Sequence, residues 1–380
     1  MRAEEQPAFR PGTDAMTLRC IACDAAYPAE LLYRCAACGG ILEVSRIAKA
    51  GGWANADFVD PAVTLGEGGT PLRAVAPDLL HSEFHGRLFL KDETRNPSGS
   101  FKDRLVAASL SRAIEQGARG IVSASSGNAG AAAACYAAHA GTPAIICCPE
   151  ATPHGKLAQI LAYGATLERV PGHYGNAFRR AMALCEERGY VNLTTTYLNP
   201  YGVDALRLVG QEILDGLDGV GPDWVAVPTS SGPLVKGVFQ GFKDAGAGMP
   251  RLVAAQSEGC APIAKAFAEG TDIVQPWTAP RTIASGISDP LLGYPEEGSH
   301  TLSLVRESGG TAVAVPDDEI RAAMIALARQ AGLFSEPTGA ASLAACRRLF
   351  LEGTINAGDT VVCIVTGHGF KDVSAWENVS

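Results

Sequence analysis

A lysine flanked by small residues, at the point where a turn gives way to a helix, is the group in this sequence best suited to covalent chemistry. It is Lys102, in the run Glu93-Thr94-Arg95-Asn96-Pro97-Ser98-Gly99-Ser100-Phe101-Lys102-Asp103-Arg104. The apolar run Leu88-Phe89-Leu90 precedes an Asn-Pro-Ser-Gly turn signal, and a helical pattern follows to about Gln116. A lysine at a helix N-terminus sees the positive end of the dipole, which disfavours its ammonium form. A free lysine titrates near ~10.4, and lowering it by about 3 units takes about 4 kcal/mol of environment. Desolvation together with the dipole supplies that order of energy and leaves an amine able to condense with an aldehyde. Taken alone, Lys102 reads equally well as a surface lysine opening a helix. Four further stretches downstream fit the same chemistry.

Those stretches sit in an alternation of strands, loops and helices. Strand 120–124 leads into the turn 125–130 and a helix through His139, and strand 143–148 follows. A helix at 155–163, strand 166–170, helix 176–188 and strand 190–193 continue the series. A second series opens with strand 224–227, loop 228–233 and helix 234–242, then strand 251–256 and strand 311–315. Helix 317–330, loop 336–341 opening another helix, and strand 360–365 complete it. The pattern predicts an α/β fold with two parallel, doubly wound domains and a site outside the strands' carboxyl ends. The expected division is 1–50 as tail and ribbon, 51–95 as the first part of the larger domain, 96–200 as the smaller domain, and 201–380 as the rest of the larger one. Residues 1–17 read as a loose tail and 53–87 as a connector carrying the loop Gly66–Leu72.

The 380-residue chain carries a net charge of −9, which argues against a general nucleic-acid or anionic-membrane surface. No apolar run approaches the ~18 residues of a membrane helix, and the acidic N-terminus lacks the features of a secretory signal. Eleven cysteines, an odd number mostly placed singly in apolar segments, point to a reducing cytoplasm. Cys147 and Cys148 read as core; His154 and His173 read as exposed loop residues. Cys20, Cys23, Cys35 and Cys38 form two Cys-x-x-Cys knuckles, the second followed by Gly39-Gly40. Four thiolates at this spacing match a small zinc ribbon, and a closed sphere of four leaves no open position for a substrate. The expected role is structural.

Loop Thr229-Ser230-Ser231-Gly232-Pro233 precedes a helix and suits a phosphate, because backbone N–H groups and the helix dipole both point at the anion. Loop 125–130 offers hydroxyls, N–H groups and the Asn128 amide to a carboxylate or a ring substituent.

Together with Lys102, these residues resemble the fold-type II pyridoxal-phosphate enzymes, specifically the threonine synthase family. The matching runs are Asn96–Arg104, Ser125-Ser-Gly-Asn-Ala-Gly130, Gly155-Lys-Leu-Ala-Gln159, Glu336-Pro-Thr-Gly-Ala-Ala-Ser-Leu343 and Thr366-Gly-His-Gly-Phe-Lys-Asp372. The resemblance spans about residue 18 to the C-terminus and implies a tryptophan-synthase-β-like architecture. It implies that Lys102 forms the Schiff base with pyridoxal 5'-phosphate and shuttles protons. Asn128 would bond the cofactor's phenolic oxygen, the 229–232 backbone its phosphate, and Thr366 its pyridine nitrogen. Phe101, Leu234, Glu336 and Gly367 would border it. Ser125, Ser126, Gly127, Asn128 and Ala129 would hold the substrate carboxylate. A hydroxyl at the ring nitrogen makes a moderate electron sink, suited to expelling a β or γ substituent. His368, beside that nitrogen, is expected to serve loop geometry.

The implied reaction converts O-phosphohomoserine and water to threonine and phosphate, in a cytoplasmic homodimer. Candidate cations for the substrate phosphate are Lys156, Arg104 and Arg207. Two departures stand out. Asn199-Pro-Tyr201 is followed by Gly202-Val-Asp-Ala-Leu-Arg207, where threonine synthases usually place arginine directly after the aromatic residue. The loop 229–233 replaces a run richer in glycine and asparagine. The alternative is a related pyridoxal-phosphate enzyme on another amino acid: dehydratase-like on serine or threonine, cysteate-synthase-like, or acting on a phosphonate or sulfonate. Convergence of the three cations on one pocket favours an acidic leaving group, and their dispersal a neutral one. A catalytically silent relative is the third reading.

Overall fold

The computed structural model describes residues 16–46, 62–172 and 174–377. A three-stranded antiparallel ribbon comes first, from β1 (Met16–Cys20), β2 (Ala26–Pro28) and β3 (Leu42–Arg46), in the order β2-β1-β3. Of the expected tail, Met16 and Thr17 lie in β1, and residues 1–15 fall outside the described residues, as does His173. The next strands are β4 (Leu72–Val75) and β5 (Arg87–Asp92), after which α1 (Lys102–Glu115) begins at the expected lysine.

A four-stranded parallel sheet follows. It alternates β6 (Ile121–Ala124), α2 (Asn128–His139), β7 (Ala144–Pro149) and α3 (His154–Ala162), so that His154 opens a helix where a loop was expected. Then come β8 (Thr166–Val170), α4 (Tyr174–Arg188) and the short β9 (Val191–Asn192), giving the order β8-β7-β6-β9. Strand side chains alternate between two faces. Ile146 and Cys148 accordingly pack among residues of α1, α2 and α3, while Ile145 and Cys147 pack against α4.

After α5 (Pro200–Ala205) and α6 (Arg207–Asp215), the larger sheet is built by β10 (Trp224–Pro228), α7 (Pro233–Ala245), β11 (Arg251–Ser257) and α8 (Pro262–Ala268). It continues with α9 (Pro295–Glu307), β12 (Thr311–Val315), α10 (Asp317–Ala331), α11 (Pro337–Leu351) and β13 (Thr360–Val365). The six-strand order is β12-β11-β10-β13-β5-β4, parallel except at β4. Its interior strands are apolar over most of their length because helices cover both faces, as a parallel sheet requires. Val361, Cys363 and Val365 face α10 and α11, and Val362 and Ile364 face α6 and α7.

Helices α5, α6, α8 and α9 were not anticipated. The first is a single short turn of helix containing Gly202 and Asp204, whereas α6 with its flanking residues does carry an apolar stripe, Leu206, Val209, Ile213 and Leu217, that the sequence reading passed over. Gly202 is packed tightly: a Cβ there would lie 2.4 Å from Ser109 Oγ and 2.7 Å from Leu105. No arginine side chain fits at the place where the resemblance would put one.

The ribbon is anchored to the helices of the larger sheet. Tyr201 donates to the Glu30 carbonyl at 2.7 Å, Arg34 pairs with Glu297 at 2.7 Å, and Lys236 pairs with Glu43 at 2.8 Å. The four cysteine Sγ atoms lie within 4.8 Å of one another, with Cys20–Cys38 at 3.5 Å and Cys23–Cys35 at 3.6 Å. A tetrahedron with Zn–S of about 2.3 Å has S···S edges of about 3.8 Å, so the arrangement fits a zinc shell.

Candidate active site

A cavity of about 280 Å³ opens between the two sheets, and six helices begin at its wall. Lys102 (α1), Asn128 (α2), Gly155 and Lys156 (α3), Tyr174 (α4), Leu234 (α7) and Thr338 (α11) all line it from their first turns. The partial positive charge of each helix start favours an anionic ligand here.

The turn before α1 is held by Gly99 at φ +92°, a conformation that favours glycine. Lys102 Nζ lies 3.3 Å from the Thr195 carbonyl and in ion-pair contact with no carboxylate among the described residues. Burial drives its ammonium down to about 8, opposed by the charge of Asp289. The fraction of unprotonated amine at neutral pH is therefore far above that of a solvated lysine.

At α7, Gly232 has φ +111°, and a Cβ there would fall 2.0 Å from Thr301 Oγ1, so the loop admits only glycine. The N–H groups of Ser230, Ser231 and Gly232 have no hydrogen-bond partner among the described residues. Pro233 takes the first helical position, where a missing N–H costs nothing. At the start of α2, Asn128 Nδ2 donates to Glu336 Oε1 at 2.6 Å, while Asn128 Oδ1 is buried and unpaired. Thr366 Oγ1, at the end of β13, is also buried and unpaired. Unpaired buried polar atoms are costly, so two of them on one cavity wall indicate a polar ligand. Burial raises the Glu336 carboxyl to about 7, although Asn128 acts against the shift.

Of the residues singled out by sequence, the cavity brings together Phe101, Lys102, Ser125, Ser126, Gly127, Asn128, Ala129, Lys156, Ser230, Ser231, Gly232, Leu234, Glu336 and Thr366. Thr229 stands behind the wall, its hydroxyl donating to the Val227 carbonyl at 2.7 Å. Gly367 also lies off the wall; a Cβ there would strike Glu336 Oε1 at 2.2 Å. His368 accepts from the Phe370 N–H through Nδ1 at 3.2 Å, a loop-forming contact.

Arg104 and Arg207 are corrected: neither reaches the cavity. Arg104 is buried in ion pairs with Glu93 at 2.8 Å and Glu212 at 2.6 Å, and Lys91 joins Glu212 at 2.5 Å. Burial pushes Glu212 up, but Arg104 and Lys91 overcome it and hold the carboxyl at about 2. Arg207 pairs with Asp204 and, at 2.5 Å, with Asp244. Each guanidinium has one partner inside its own motif, Glu93 or Asp204, and one distant in sequence, Glu212 or Asp244, which inspection of the local motif does not show. Sequence reasoning also missed Tyr174, Thr194–Thr196, the segment Ser285–Pro290 and Lys371, all on the wall. Lys371 lay within a quoted motif and was the one discoverable signal. Its Nζ donates to Gln159 Oε1 at 2.6 Å, and Lys156 pairs with Asp372 at 2.7 Å and Ser285 at 2.9 Å.

A buried amine, a phosphate-ready helix start and two unpaired polar atoms around one cavity describe an α/β enzyme built to hold an anionic, aldehyde-bearing cofactor. The model of the family described as "Pyridoxal-phosphate dependent enzyme" matches residues 63–367. The threonine synthase of Methanosarcina acetivorans is 35% identical over 379 residues, covering 93% of this chain and 92% of the relative. That of Methanocaldococcus jannaschii is 34% identical, covering 95% of this chain and 94% of the relative. The structure of maize serine racemase superposes with a TM-score of 0.70 at 27% identity, covering 81% of this chain and 90% of that one. This chain belongs to the pyridoxal-phosphate-dependent enzyme family. The unpaired Asn128 and Thr366 oxygens and the free N–H groups of 230–232 fit that cofactor.

The Glu336 shift has a measurable sign. Its folded-state pKa exceeds the ordinary ~4.3, so the folded chain binds more protons than the unfolded one between those values. The stability from this group is present at low pH and is lost as pH rises through about 7. Glu336→Gln is expected to stabilise the cofactor-free chain at pH 8 by on the order of 3 kcal/mol relative to its effect at pH 4. Urea unfolding at the two pH values checks this; equal effects at both would contradict the assignment.

Proposed function

We propose that this chain is a threonine synthase, a lyase that converts O-phosphohomoserine and water to threonine and phosphate. The observation that carries the reading is the near end-to-end match to two threonine synthases, in each case over more than nine-tenths of both chains. Bound pyridoxal phosphate supplies an electron sink for substrate carbanions. The residues' parts in this reading follow from their places on the wall. Lys102 holds the cofactor covalently, and its freed amine accepts and returns protons. The N–H groups of Ser230, Ser231 and Gly232 hold the cofactor phosphate, Asn128 the phenolic oxygen and Thr366 the ring nitrogen. Ser125–Ala129, at the start of α2, receives the substrate carboxylate.

Lys156 is the cation for the substrate phosphate, with Lys371 on the same wall, since Arg104 and Arg207 are engaged elsewhere. Asp372 and Ser285 fix the Lys156 ammonium before substrate arrives. The reading includes a homodimer in the cytoplasm, supported by the resemblance and the cysteine pattern. It also places a structural zinc on Cys20, Cys23, Cys35 and Cys38.

The purified yellow protein is expected to release phosphate from O-phosphohomoserine with an equal amount of threonine. Lys156→Ala is expected to raise KM by about tenfold or more, with a smaller change in kcat. Retention of cofactor without phosphate release would contradict the substrate assignment. Metal analysis is expected to find one zinc per chain, absent in Cys20→Ser, with pyridoxal phosphate retained. Metal-free protein as isolated would contradict the zinc shell.

A further inference from the structure

The backbone N–H groups of Ser230, Ser231 and Gly232 stand in a row without a hydrogen-bond partner among the described residues. In a trans peptide the N–H of one residue points opposite to the carbonyl of the residue before it. Whatever holds the carbonyls of Thr229, Ser230 and Ser231 therefore aims those N–H groups. The Ser231 carbonyl accepts from the Thr301 hydroxyl at 2.6 Å. The Thr229 and Ser230 carbonyls take longer contacts, 3.4 Å and 3.5 Å, from Gln256 Nε2. The Gln256 amide is fixed in that sense, because its Oε1 accepts from the Ile263 and Ala264 N–H groups at 2.8 Å and 3.0 Å.

Thr301 is fully buried in α9 and stands behind the cavity wall, where it touches the loop from the far side. Its proton has two acceptors in reach: the Ser231 carbonyl and, at 3.0 Å, the Glu297 carbonyl one turn back in its own helix. The shorter contact takes it, so the hydroxyl is committed to the loop and not to the helix. The Tyr197 hydroxyl, 3.0 Å from Thr301 Oγ1 and 3.2 Å from the Gly232 carbonyl, closes the group from the side. Neighbours of Thr301 anchor α9 at this point. Glu297 pairs with Arg34 of the ribbon, and the His300 ring packs edge-on against Tyr197 with 5.4 Å between centroids.

We propose that Thr301 is a positioning residue for the cofactor phosphate: its hydroxyl fixes the Ser231–Gly232 peptide so that the Gly232 N–H stays aimed at the anion. The inference rests on the reading of loop 230–232 as the phosphate site, and is independent of which amino acid the enzyme consumes. A donor already aimed needs no reorganisation when the anion arrives. Without the hydroxyl, the Ser231 carbonyl is left unpaired in a buried place. The peptide then turns toward another partner, and the Gly232 N–H turns with it.

The test is equilibrium binding of pyridoxal 5'-phosphate, and of pyridoxal, which lacks the phosphate, to the whole chain freed of cofactor. Titrations are followed by absorbance, with circular dichroism to verify folding. The wild type is expected to bind the phosphorylated compound far more tightly. Thr301→Val removes the donor at nearly constant shape, and Thr301→Ala removes it at smaller volume. Both are expected to weaken pyridoxal phosphate by about tenfold and pyridoxal by less than about twofold, the scale of one hydrogen bond. Thr301→Ser, which keeps the hydroxyl, is expected to bind both compounds as the wild type does. Unchanged affinity for pyridoxal phosphate in Thr301→Val would overturn the proposal. So would an equal fall for both compounds, which would assign the effect to packing. A fall in Thr301→Ser as large as in Thr301→Val would also overturn it, by assigning the effect to the methyl group. Failure of the phosphate-site reading shows separately, as a wild type that binds the two compounds alike, and it removes the proposal with it.

Discussion

Six helices start at one cavity, and that convergence constrains the rest of the molecule. Each start presents unsatisfied N–H groups and a partial positive charge worth about 0.3–1 kcal/mol to a nearby anion. The summed field makes the cavity a place for phosphates and carboxylates and a poor one for a protonated amine. Lys102 is placed where that field and burial act together. The parallel sheets produce this geometry, since every strand ends and every following helix begins on the same side.

Charges inside such a site must be balanced locally. Glu336 is raised by burial, Glu212 is held low by Arg104 and Lys91, and Lys156 is paired with Asp372. The distribution separates two kinds of buried cation. Arg104 and Arg207 are closed in ion pairs that tie helices together. Lys102 and Lys371 have carbonyl or amide oxygens as their hydrogen-bond partners and face the cavity. Lys156, on the same wall, keeps one carboxylate partner, Asp372, and still faces the cavity.

Much of this was legible in sequence. Strands β8, β12 and β13 and the start of α1 fell where periodicity and turn chemistry put them, because apolar runs bounded by glycine and proline leave few alternatives. The cavity-facing loops 125–130 and 229–233 were visible for the same reason. Arg104 was misplaced because Glu212, which with Glu93 closes it in, comes from a distant part of the chain, on α6. Asp289 was invisible because Ser-Gly-Ile-Ser-Asp-Pro has the composition of any surface loop. The buried Leu291 and the Tyr294 hydroxyl, which give it direction, are tertiary facts.

The central claim is that Lys102 is the residue through which this cavity holds pyridoxal phosphate. Borohydride reduction of the yellow protein, followed by peptide mapping, tests it most directly. The account expects one pyridoxyl group per chain, on the peptide carrying Lys102. A label on Lys156 or Lys371, or none at all, would contradict it.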